Sequence, residues 1–148
     1  MSSTNNPEPL KIYELYLADV GRIGDRHQAL RAFYVSLIGA LTGLLALAGG
    51  EKAVFPGSKL NGGLLVAAAG FAVCIMWFAH MGSFRAIFDA KFKTLRAIEG
   101  KLTVAPFESE WSALQQSRYV HLTTIDQFVA AILALAFLFL FLLGTGVV

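Results

Sequence analysis

Three stretches of this chain run without a charged side chain for long enough to cross a bilayer: Ala32 to Gly50, Leu60 to Phe84, and Gln127 to Val148. The hydrocarbon of a membrane is about 30 Å thick and takes about 20 apolar residues of helix to span. Inside it every backbone N–H and C=O must find its partner within the segment, which a helix provides and an isolated strand does not. The runs therefore predict an all-α chain with three transmembrane helices. Composition points the same way: of 148 residues, 56% are apolar and only 15% charged, outside the usual range of a water-soluble domain.

A secretory signal is the competing reading of the first run, because Arg22, Arg26 and Arg31 precede it and Ala46-Leu47-Ala48 resembles a cleavage site. Signal peptides have an apolar core of about 7 to 15 residues behind a short basic segment. This run is longer, and a long polar and amphipathic segment precedes it, so a retained span is the better reading.

The basic residues set a direction. Lys11, Arg22, Arg26 and Arg31 precede the first span; Arg85, Lys91, Lys93, Arg96, Lys101 and Arg118 lie between the second and third; only Lys52 and Lys59 lie between the first and second. By the positive-inside rule the first two groups are cytoplasmic, which places the N-terminus inside and the C-terminus outside. The expected organisation is a disordered N-terminus over 1–9 and one membrane domain over 10–148. That domain divides into an N-terminal amphipathic cytoplasmic helix (10–31), a first span (32–50), an outer loop (51–60), a second span (61–83), cytoplasmic helices (84–124) and a third span (125–146).

The cytoplasmic parts carry helical stripes. Tyr13, Leu17 and Val20 with Ile12, Tyr16 and Ile23 form a broad apolar face, and Gly21 and Gly24 each weaken that helix by about 1 kcal/mol relative to Ala, which makes a bend plausible there. Beyond the second span, Phe84, Ile87, Phe88, Phe92, Leu95, Ile98 and Leu102 recur at helical spacing. Arg85, Asp89, Lys93, Arg96 and Glu99 fall on the opposite face, with Asp89–Lys93 and Arg96–Glu99 as expected intrahelical ion pairs. Span and extension together predict one helix from about Gly62 to Leu102, on the order of 60 Å long, ending at Gly100 and Pro106. A short helix is expected over Glu108 to Tyr119, burying Trp111, Leu114 and Tyr119.

So little cytoplasmic chain cannot make an independent core, yet its apolar stripes require cover. Neighbouring copies of the chain are the natural cover, so a homo-oligomeric membrane assembly is expected. Gly39 and Gly43, four apart in the first span, add a small-residue packing face; the second span has Gly62, Gly63 and Gly70 beside Ala67 to Ala69.

Other chemistry is weakly represented. A net charge of +2 with interspersed signs does not make a nucleic-acid footprint. Cys74, the only cysteine, sits in an apolar run and reads as a small hydrophobe. His27, His80 and His121 gather near the inner boundary but not at metal-ligand spacing. No nucleophile and base are paired in a recognisable pattern, so neither enzyme activity nor a cofactor or metal is expected. Ionisable groups are absent between the span boundaries, against a transporter or proton relay. A channel is conceivable only as a property of an assembly, walled by residues such as Ser36, Gly39, Thr42 and Gly43 and gating by dewetting.

The cytoplasmic segment reads Phe88-Asp89-Ala90-Lys91-Phe92, Leu95-Arg96-Ala97-Ile98-Glu99, Pro106-Phe107, Glu110-Trp111, then Tyr119 and Ile125-Asp126, with Asp25-Arg26-His27 ahead of the first span. This order resembles the RipA family of octameric bacterial inner-membrane proteins from about Tyr13 to Phe128, most specifically in the Lys91-Phe92 and Glu110-Trp111 elements. Asp89, His27 and Arg31 depart from the family's pattern. The resemblance implies a three-span subunit of a homo-octamer in the bacterial inner membrane, with lipid and itself as partners. The expected role is a scaffold or pore-like assembly, the alternative a membrane-anchored regulator or sensor that binds another protein through its cytoplasmic helices. Asp89, Lys91, Phe92, Glu99, Glu110 and Trp111, with Gly39 and Gly43, are the candidate oligomer contacts.

Overall fold

The computed structural model describes residues 8–48, 62–100, 102, 105–116 and 121–145. The expectations for residues 1–7, for the outer loop 51–60 and for Tyr119 lie outside them. The described residues form four helices: α1 (Glu8–Ala48), α2 (Gly62–Glu99), α3 (Pro106–Gln116) and α4 (Leu122–Thr145). Among the described residues there is no strand, and the chain is all-α. Three of the helices are long and apolar enough to cross a membrane, over Leu10–Leu47, Gly62–Glu99 and Leu122–Thr145.

α1 and α2 each continue unbroken from apolar run into charged extension, and α1 is helical through Gly21 and Gly24. α2 ends at Glu99, three residues before the expected Leu102; the Gly100 N–H donates to the Arg96 carbonyl at 3.1 Å and the Leu102 N–H to that of Glu99 at 2.8 Å. α3 starts two residues earlier than its acidic pair suggested. Pro106 is its first residue, a position where proline's fixed φ and missing N–H are favourable.

The chain divides into two compact units, Met1–Gln28 with Phe84–His121, and Ala29–Ser83 with Leu122–Val148. The second contains the three uncharged runs except for Phe84. Its interior is a seam of residues three and four apart: Tyr34 and Ile38 of α1, Ala67, Gly70, Cys74, Trp77 and Met81 of α2, and Ala130, Ala134 and Phe137 of α4. Lipid is as apolar as these side chains, so close fit rather than exclusion of water holds such helices together. Alanine and glycine supply that fit. A Cβ placed on Gly70 would run into the ring of Phe137, so the ring lies directly on the α2 backbone.

The first unit packs the N-terminal part of α1, the C-terminal part of α2, and α3. Leu95 is fully buried there, and Phe92 stacks with Phe88 at 6.2 Å and meets Phe107 at 6.0 Å. The expected apolar face of α2 is largely the inward face, but Ile87 is exposed while Glu99, assigned to the polar face, is buried.

Candidate functional site

Among the described charged groups of the first unit, Glu99 is the most enclosed, with 1% of its surface exposed. As the last residue of α2 it faces the start of α3, where the first backbone N–H groups have no intrahelical acceptor. The Phe107 N–H donates to its Oε1 and the Glu108 N–H to its Oε2, each at 3.1 Å. From α1 the Tyr13 hydroxyl donates to Oε1 at 2.8 Å. One carboxylate thus accepts from three donors on two other elements and sits at the positive end of the α3 dipole. Burial, and then the hydrogen bond to Glu99, push the Tyr13 phenol up to about 12, so it remains a donor at any physiological pH. The Arg96–Glu99 pair expected from sequence is replaced: Arg96 stacks its guanidinium 4.9 Å from the Trp111 ring centre, because Glu99 is turned toward α3.

Lys91 joins the same unit together from the other side. Its ammonium donates to the Asp19 carboxylate of α1 and lies 5.1 Å from the Tyr16 ring centre. The hydrogen bond from Lys91 is the main reason the Asp19 carboxyl is held below its usual 3.8, and the same bond raises Lys91 above its usual 10.5. A lowered acid contributes stability above its unfolded pKa, lost as pH falls through the folded value; a raised base contributes below its unfolded pKa, lost as pH rises through the folded value. The difference in melting temperature between the native chain and an Asp19→Asn variant is therefore expected to stay level between pH 3.8 and 10.5 and to shrink outside that window. A difference that instead changes steadily through neutral pH contradicts the pairing.

The remaining sequence candidates fall as follows. Phe92 is half-buried in the aromatic cluster and Trp111 half-buried under Arg96, while Asp89 and Glu110 are exposed. Gly39 and Gly43 are exposed on α1, with nothing within 4 Å of where a Cβ would sit. The three histidines have separate surroundings: His27 meets Phe84 edge-on at 5.4 Å, His121 tilts against Trp111 at 6.5 Å, and His80 is hydrogen-bonded to the Tyr34 hydroxyl.

The second unit holds a polar layer that the sequence reading did not assemble. The Arg31 Nε lies 3.2 Å from Oδ1 of Asp126, whose side chain is almost wholly enclosed. A buried carboxylate at the edge of an apolar span requires such a partner. Tyr34, three residues on from Arg31, stacks on Trp77 at 5.8 Å and 10° and bonds His80. Gln127 Nε2 donates to the Phe78 carbonyl at 3.5 Å. The available signal was the pairing of one acid at the head of the third run with one base at the head of the first.

Three apolar helices, with a buried carboxylate at the head of the third met by an arginine of the first, describe a membrane protein. The sequence profile of the octameric membrane protein family (8xMP) matches residues 10–145. The chain belongs to that family. No curated protein and no solved structure matches it. Membership in the octameric membrane protein family accounts for nearly the whole described fold, α1 through α4, and agrees with the resemblance drawn from Lys91-Phe92 and Glu110-Trp111.

Proposed function

We propose that the chain is the subunit of a homo-octameric scaffold or pore-like assembly in the bacterial inner membrane, with its N-terminus cytoplasmic, its C-terminus periplasmic and no catalytic activity. The observation that carries this reading is apolar surface left open outside the uncharged runs. Leu15 is 64% exposed, and Leu10, Ile12 and Leu17 are exposed beside it, in a family described by its octamers. Such a surface in water calls for a partner, and the family's description supports another copy of the same chain. The engagement of Lys91 with Asp19 and of Glu99 with α3 supports a structural rather than a chemical role for those groups.

The test places a photo-reactive benzophenone side chain at Leu15 and irradiates intact membranes; each chain captures one neighbour and can itself be captured by another. A ladder of adducts at multiples of the 16.0-kDa chain is expected. A single adduct with a different protein contradicts the homo-oligomer and favours the regulator reading, which the same leucines support as a docking face. Planar-bilayer recording of the purified particle then separates pore from scaffold: discrete conductance steps for the first, a silent bilayer for the second.

A further inference from the structure

In the second unit, Gly39 and Gly43 differ from Gly70 in a way that sequence cannot show. Gly70 is occupied from within the subunit by Phe137, whereas a Cβ on Gly39 or Gly43 would meet nothing within 4 Å. Glycine inside a helix weakens it relative to alanine, and here nothing in the subunit gains from the missing side chain. Lipid chains do not need a glycine either; a second helix approaching closely does. At about 100° per residue the two glycines lie within about 40° of each other on α1.

We infer that this glycine face of α1 receives α4 of the neighbouring copy. The inference rests on the octameric reading above and says which surfaces meet. Copies of one chain insert in one direction, so a closed ring relates them by rotation about the membrane normal. Such an interface is heterologous, joining two different faces of the subunit. The second face must be bulky to fill the glycine groove, and in the second unit α4 carries the longest exposed apolar row, including Ile132, Leu135 and Phe139. Depth fixes the register. The Arg31–Asp126 pair puts these two residues at one level, and α1 and α4 ascend from there in the same direction with the same rise per residue. Gly39 then stands level with Leu135 and Gly43 with Phe139, to within about one helical turn. Rotation about the normal preserves depth, so those are the residues that meet across the seam.

The test uses the full chain in lipid nanodiscs, with native mass spectrometry. In a Gly39→Leu/Gly43→Leu variant the added side chains enter open space within the subunit, so helix content by circular dichroism is expected to stay unchanged. The eight-copy particle is expected to give way to smaller species, with association at least about tenfold weaker. As an independent arm, Gly39→Cys with Leu135→Cys in a Cys74→Ala background should form disulfides between copies on oxidation. An eight-copy particle in the leucine variant with no disulfide in the cysteine pair overturns the inference. A native chain that is not octameric overturns the reading beneath it instead, so the two failures are told apart by the unmodified protein alone.

Discussion

Replacing Glu99 by Ala should free α3 from the rest of its unit. The substitution removes the acceptor for the Tyr13 hydroxyl and for the first N–H groups of α3. A buried donor left without an acceptor costs about 1 to 3 kcal/mol, so with some water reaching the helix end a loss of about 3 kcal/mol is expected for this unit. Hydrogen exchange should show it locally, as lost protection over residues 106–116 with the second unit unchanged. Glu99→Gln should recover part of the loss, because its carbonyl oxygen can still accept while its NH2 faces donors. Glu110→Ala, at an exposed position of the same helix, should stay within about 0.5 kcal/mol of the native chain. Equal effects at Glu99 and Glu110 would refute the cap.

Gly70→Ala should be the most damaging of the glycine-to-alanine changes, although alanine is the better helix former. Its Cβ would collide with the Phe137 ring, and forcing extra volume into a packed interior costs about 1 to 3 kcal/mol. The same change at Gly39 or Gly43 meets nothing in the subunit and should leave unfolding of the isolated subunit unchanged or slightly improved. A second substitution, Phe137→Leu, which withdraws the ring, should recover part of the Gly70→Ala loss, a coupling readable in a double-mutant cycle. Unfolding in detergent, followed by circular dichroism, measures all three. Independent, additive effects at Gly70 and Phe137 would contradict the contact.

The spans were legible because hydropathy over about 20 residues reports directly on the solvent a helix can occupy. The helical stripes of the extensions were legible because their period is local. Glu99 was not: periodicity assigned it to the polar face, and only the return of α3 makes a carboxylate there the acceptor for unpaired backbone N–H groups. Asp19 escaped for the same reason, since its partner Lys91 lies 72 positions away and nothing in the local pattern singles out one acid among several on α1. Asp126 stood in view as the charge that ends the polar segment before the third run. Reading it as a boundary hid that a nearly buried carboxylate must be met by a base, here Arg31. The glycines show the converse limit. Gly39, Gly43 and Gly70 look alike in sequence, and only the neighbouring side chains reveal that Gly70 packs inside the subunit while the other two face outward.

Self-assembly of a subunit with three transmembrane helices is read directly from the mass of the unmodified particle. Released from nanodiscs by native mass spectrometry, it should carry eight copies of the 16.0-kDa chain, dissociating by loss of single subunits. A particle holding one copy, at every protein concentration tested, would contradict it.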